Sequence, residues 1–312
     1  MSSSGGLICR RTFLKGSLAS LTLPASIISP FISPGSLRAD SGPSVLSLAE
    51  DGDYLRATET VVEGLGGMSA FVPRGSVVVV KPNIGWDRTV QQGANTHPDV
   101  VRAIIVMCLE AGARSVTVLD RTCNDARRSY KNSGILEMVT GLGDKRVHLE
   151  FVRNGLFRNV KFPEGKAIKE WPLYSPALDA DVLINIPVAK HHSISRLTMA
   201  MKNLMGLMGG NRGNIHSRID QKLADLTAVL SPTLNILDAT RIMIRNGPTG
   251  GRLSDVKVLN RVAASSDPVM LDAYGATLFG LQPGDIPSVK AGYASGLGEM
   301  DFARARLVGG SV

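Results

Sequence analysis

Residues 76–83 read SVVVVKPN. Four successive valines leave no polar face, so the run suits a strand covered on both sides rather than one half-exposed to water. Lys81, Pro82 and Asn83 end it abruptly. Beyond it, HPDVVRAIIVMCLEAGA (97–113) opens a helix with Pro98 at the first position and stops at Gly112. Val101, Ile104, Ile105 and Cys108 supply the helical period, and His97 stands where an N-cap belongs. SVTVLD (115–120) predicts the next strand, residues 127–143 a helix, and RVHLEFV (146–152) an alternating strand that includes His148. Residues 153–178 lack a period and read as an irregular insertion or hairpin.

The second half repeats the pattern. DADVLINIPVAK (179–190) is another buried strand, followed by a methionine-rich helix. SRIDQKLADLTAVLS (217–231) is an amphipathic helix and TLNILDAT (233–240) a strand. The turn NGPTGG (246–251) leads to the strand KVLNRVAASSDP (257–268) and a helix capped by Asp267 with Pro268 at its first position. A last short strand falls near ARARLVGG (303–310). Alternating β and α units predict an α/β fold, an open, mostly parallel sheet with helices on both faces. No linker divides residues 40–312, so they are expected to form a single domain.

Residues 1–39 read differently. Arg10 and Arg11, followed by Phe13, Leu14 and Lys15 and a moderately apolar run, resemble a twin-arginine export signal, with Cys9 in place of the usual serine. Cleavage after Ala39 is one reading and an uncleaved anchor the other. Pro24, Pro30 and Pro34 make the run a weak spanning helix. The expected partner is the twin-arginine translocase, and the expected location periplasmic or extracellular.

The net charge of +8 is divided. Residues 1–39 hold four basic and no acidic residues, leaving 31 basic and 27 acidic in the rest. Without Lys/Arg runs or interleaved aromatics this argues against nucleic acid as a partner and leaves small anions as ligands. Outside Cys9 there are two cysteines, Cys108 and Cys123, whose pairing the spacing leaves open. No cysteine cluster exists for an iron–sulfur centre or a four-cysteine zinc site.

In open α/β sheets ligands bind beyond the carboxyl ends of the strands. The predicted strand ends deliver Lys81 and Asn83, Asp120 and Arg121, Lys190 with His191 and His192, Asp238, and Asp267 with Asp272 a turn later. In the methionine segment, Thr198, Met201, Met205 and Met208 share one helical face and read as core. Lys202 and Asn203 lie beside that face. Gly206, Gly209, Gly210 and Gly213 follow, suiting close approach of the backbone to a phosphate or carboxylate, with Arg212 nearby. The spacing is neither a P-loop nor a dinucleotide fingerprint. Adjacent His191 and His192 point apart, so one works at most, in acid–base chemistry with Asp238 or His216.

At these residues the chain resembles the family called domain of unknown function 362. The resemblance rests on KPN after the valines, THP (96–98), DVLINIPVAKHH, MKNLMGLMGG (201–210), GPTGG and SSDPVMLDA (265–273), in that order across roughly residues 76–280. Some relatives carry a cysteine-rich ferredoxin-like module. This chain lacks those cysteines, so the resemblance implies no electron transfer here.

The residues thus predict an exported enzyme acting on a small anionic substrate. Lys81, Asn83, Lys190, Lys202, Asn203, Gly209 and Gly210 would bind it, and His191, His192 and Asp238 would serve catalysis. Asp267 and Asp272 are candidates for a divalent metal, the cofactor being otherwise unknown. The alternative is a non-catalytic binding protein for a metal, cofactor or anion. A structural role explains the lysines and glycines least.

Overall fold

The valine run forms strand β2 (Val77–Pro82), and its pleat shares the side chains between two cores. Val78 and Val80 pack with the helices Tyr54–Glu63 and Pro98–Glu110, through Val61, Ile104 and Ile105. Val79 faces the opposite core, with Leu223 and Leu226 of the helix Ile219–Leu230 and Met270 of the helix Pro268–Thr277. A strand buried on both faces cannot alternate in polarity, which is why it reads as a continuous apolar run. The structure, a computed structural model, describes residues 42–310 and 312. The described residues group as one compact unit. The arginine pair and Cys9 of the predicted export signal lie outside the described residues.

Eleven further strands complete the β structure of those residues. They are β1 (Val45–Glu50), β3 (Ser115–Asp120), β4 (Val147–Phe151), β5 (Phe157–Lys161), β6 (Glu170–Tyr174), β7 (Val182–Ile186), β8 (Val188–His192), β9 (Arg196–Thr198), β10 (Leu234–Met243), β11 (Val256–Ser265) and β12 (Arg306–Val308). The main sheet runs β12-β1-β11-β10-β7-β2-β3-β4. From β10 to β4 every pairing is parallel, whereas β11 is antiparallel to both neighbours. The fold is therefore α/β with a mostly parallel sheet between two helical layers. Residues 153–178 contain the separate hairpin β5–β6. Among the described residues no helix is long and apolar enough to cross a membrane.

Three expectations need amendment. The run DADVLINIPVAK is two strands, because Pro187 has no N–H for the ladder. β7 pairs with β2 and the start of β10, and β8 continues along β10 and folds back on β9. Residues 127–143 form two helices, Ala126–Asn132 and Ile135–Gly141, separated at Gly134, whose φ of 76° ends the first. The methionine segment is the third. Thr198 ends β9, the α-helix spans only Ala200–Asn203, and Leu204–Leu207 is a 3₁₀ turn. Met201 and Met208 are fully buried, but Met205 faces a cavity, so the stripe does not hold as one face.

Candidate functional site

A cavity of about 390 Å³ opens beyond the carboxyl ends of β2, β3 and β8. Its wall comes from those strand ends, from the segment after β9, and from the loop containing Pro248 and Thr249. The strand directions place it there: the parallel neighbours β2 and β3 and the off-path strand β8, parallel to β10, end at one rim and release their next polar residues together.

The floor is an ion pair. Lys81 Nζ lies 2.7 Å from Asp120 Oδ1, with both side chains almost fully buried, and donates to the Pro82 carbonyl at 2.7 Å. Asp120 Oδ2 accepts from the Ile84 amide at 2.7 Å. Burial lowers the Lys81 pKa, and Asp120 opposes that shift. Gly206 covers the pair: a Cβ there would meet Asp120 Oδ1 at 1.8 Å and Lys81 Nζ at 2.7 Å. Lys81 therefore lies behind the wall, and Asp120 and Gly206 form it.

A row of buried asparagines orients the next layer. Asn185 donates to Asn235 Oδ1 at 2.9 Å and to the Ala200 carbonyl at 3.0 Å. Asn203 donates to Asn185 Oδ1 at 2.9 Å, and Asn83 to Asn203 Oδ1 at 2.8 Å. Each amide is committed in one sense, which leaves Asn83 Oδ1 as an acceptor for Lys190 Nζ at 3.1 Å. Lys190 also donates to the Ala94 carbonyl. Its partners are neutral, and burial pushes its pKa down to about 7. Lys202 has a weaker neighbour, Met205 Sδ at 3.3 Å, and burial pushes it down to about 8.

His192 lines the cavity and His191 does not. His192 Nδ1 accepts from the Ile194 and Ser195 amides at 3.1 and 3.3 Å, so the neutral ring carries its proton on Nε2. Burial, with Lys202 and Lys190 adding to it, pushes its pKa down to about 3. His191 Nδ1 accepts from the Gly247 amide at 3.1 Å and anchors the neighbouring loop.

The acidic candidates go elsewhere. Asp238 accepts from the His97 amide at 2.6 Å and from the Thr240 amide and hydroxyl at 2.9 and 2.7 Å, and touches neither His191 nor His192. His97 takes the N-cap position, its ring accepting from the Asp99 amide at 3.2 Å. Asp267 caps its helix by accepting from Val269 and Met270 at 2.8 and 2.9 Å, and its other oxygen accepts from Ser44 and from the Glu299 amide. Asp272 accepts from the amides of Ala200 and Met201 at 2.6 and 3.2 Å, and burial pushes its pKa up to about 7. Backbone amides thus occupy the carboxylates set aside for a metal. Among the described residues no group of three or more His, Cys, Asp or Glu is placed to hold one.

Gly209 and Gly210 also lie off the cavity. Gly209 packs on the Phe157 ring and accepts from Trp171 Nε1 at 3.1 Å, and the Gly210 carbonyl accepts from Arg121. Gly206 and Gly213 line the wall instead. Cys108 and Cys123 are both free, the first buried and the second exposed at the cavity. Arg121, Arg212, His216, Thr198 and Cys123 complete the site's chemistry. Asp120 ends β3, Arg121 follows it and His216 ends the glycine segment, so all three had a signal in the sequence. Cys123 and Thr198 had none.

Known proteins resemble the chain to different degrees. A crystal structure from Thermotoga maritima is 12% identical, with a TM-score of 0.45 over 74% of this chain and 60% of that one. The lactate racemase apoprotein from Thermoanaerobacterium thermosaccharolyticum is 10% identical, with a TM-score of 0.42 over 76% and 57%. The chain thus spans less than two thirds of either solved chain. The thylakoid-associated protein sll1697 of Synechocystis sp. is 31% identical over 256 residues, 80% of this chain and 77% of that protein. Residues 78–277, which supply β2, β3, the asparagine row and the cavity lysines, match the family described as domain of unknown function 362, and the chain belongs to that family.

Proposed function

We propose that the cavity binds and transforms a small anionic substrate. One observation carries this reading: Arg121, Lys190, Lys202 and Arg212 line a cavity in which Asp120, the sole acidic lining residue among the described residues, is already paired with Lys81. A buried ammonium without a counter-charge is costly, and an incoming phosphate, sulfate or carboxylate supplies that charge. Neutral His192, with its proton on Nε2, is a hydrogen-bond donor in the same wall. Lys190, titrating near neutrality, can give or take a proton there.

The reading has a pH signature. Anions favour charged Lys190 and Lys202, so binding takes up protons and weakens as pH rises past about 8. Sulfate or phosphate at about a hundredfold above Kd is expected to raise Tm by roughly 5 °C or more at pH 6.5, and by much less at pH 9.5. Lys202→Met should remove most of the effect. Equal shifts in both proteins would sink the proposal.

Export by the twin-arginine route is proposed alongside it, on the strength of Arg10, Arg11, Phe13, Leu14 and Lys15. The thylakoid association in the Synechocystis relative's name agrees with a place at or across a membrane. A reporter fused behind residues 1–41 should stay inside the cell when Arg10 and Arg11 become lysines. Continued export of that fusion would exclude this route.

A further inference from the structure

Lys81, Lys190 and Lys202 cluster around one cavity, and their surroundings differ in a way that separates their chemistry. Lys81 has a carboxylate and a carbonyl. Lys190 is fully buried, with two oxygen acceptors. Lys202 is partly exposed to the cavity, and among the described residues its Nζ has neither an oxygen acceptor nor a carboxylate within 4 Å. The thioether of Met205 is a poor acceptor, so apart from the opposing influence of Cys123 little holds the amine in its charged form.

We propose that Lys202 is a nucleophilic amine, and that the cavity captures a small carbonyl compound bearing an acidic group, such as a 2-oxo acid, as an imine on Lys202 Nζ. The proposal rests on the anion reading for the acidic group and adds a covalent step for the carbonyl. Desolvation and a neighbouring cation are the conditions under which a lysine becomes a nucleophile near neutral pH. Both apply to Lys202: burial, the largest cause, and Arg212 disfavour its charged form, against an opposing influence of Cys123. A second observation points to a ligand in the same place. Thr198 lines the cavity, is 4% exposed, and has a buried Oγ1 without a hydrogen-bond partner among the described residues. Buried hydroxyls are nearly always paired, and a ligand oxygen would satisfy this one. His192 Nε2–H is a further donor for the oxygen that must leave.

The step balances within the site. The Nζ lone pair adds to the carbonyl carbon, and one amine hydrogen passes to the oxygen. The resulting hydroxyl departs as water with the second amine hydrogen. A C=N bond replaces C=O, and no oxidant or reductant is required.

Incubating the full chain with pyruvate and cyanoborohydride tests this, with peptide mass mapping as the readout. At pH 7 the neutral fraction of a lysine titrating near 8 exceeds that of an ordinary exposed lysine on the order of a hundredfold. Reductive labelling should therefore favour Lys202 over exposed lysines by roughly tenfold or more, the lower figure allowing for weaker intrinsic nucleophilicity. Lys202→Arg, which keeps the charge, should lose this fast label while retaining the sulfate shift in Tm. Labelling that follows exposure alone, or a fast label unchanged in Lys202→Arg, would overturn the proposal. Sulfate stabilisation without a Lys202 adduct would overturn the imine and leave the anion site standing. Lys202 labelled equally well by pyruvate and by acetaldehyde, with no sulfate shift, would support the imine and remove the anion site.

Discussion

Asp120→Ala is expected to destabilise the protein by about 2–4 kcal/mol at pH 7, and the loss should shrink as pH rises. Asp120 is the counter-charge of Lys81, and both side chains are almost fully buried. Without it, folding must bury an unpaired ammonium or strip its proton. Stripping costs about 4–5 kcal/mol at pH 7 for a lysine of ordinary pKa. Part of that cost is already present, since burial lowers the Lys81 pKa even beside Asp120. The unfolded chain then holds one more proton than the folded one, so stability of the variant rises with pH until the unfolded lysine titrates near 10. The slope is at most about 1.4 kcal/mol per pH unit. Lys190 and Lys202, both lowered, give the parent chain a rise of the same sign. The informative quantity is therefore the difference between the two proteins in urea unfolding at pH 7 and 9.5. Asp120→Leu combined with Lys81→Met should recover most of the stability, because it removes both charges and leaves apolar volume. A difference independent of pH would exclude this account of the pair.

Gly206→Ala should cost about 3 kcal/mol or more and abolish the sulfate response. The new methyl would lie 1.8 Å from Asp120 Oδ1 and 2.6 Å from Lys81 Cε, so either the pair or the turn must move. The turn is held from the other side, since the Arg121 amide donates to the Gly206 carbonyl at 3.1 Å. Gly141→Ala is the control. Gly141 ends the helix Ile135–Gly141 with nothing within 4 Å of an added Cβ, and there alanine should be neutral or stabilising by up to about 1 kcal/mol. Unfolding free energies from urea titration within about 0.5 kcal/mol of each other for the two variants would show that Gly206 does not seal the ion pair.

Much of the architecture was legible because its causes are local. The valine run of β2, Pro98 at the first turn of its helix, and Asp267 before Pro268 each report on neighbours within four residues. The site was legible only as a set of strand ends. Lys190, Lys202, Asn83, Asn203 and His192 do meet at one cavity. Asp238, Asp267 and Asp272 sit at equally suggestive positions, but backbone amides engage their carboxylates. Some of those amides are close in sequence, those of Val269 and Met270 for Asp267 and of Thr240 for Asp238. The others lie 32 residues from Asp267, 141 from Asp238, and 72 and 71 from Asp272.

The sequence by itself determined the alternation of buried strands and capped helices, and hence the sheet class, because hydrophobic period and chain chirality act within each β–α unit. Tertiary structure alone decided which of several similar residues meet at the cavity. Gly206, not Gly209 or Gly210, seals the ion pair, and Lys202, not Lys81, is left without an oxygen acceptor among the described residues. Those outcomes depend on how β2, β3 and the segment after β9 are set against one another, over separations of 36 to 122 residues. No local pattern encodes that registration. It follows from packing both faces of the sheet at once, where a shift of one residue would turn every buried side chain to the wrong core.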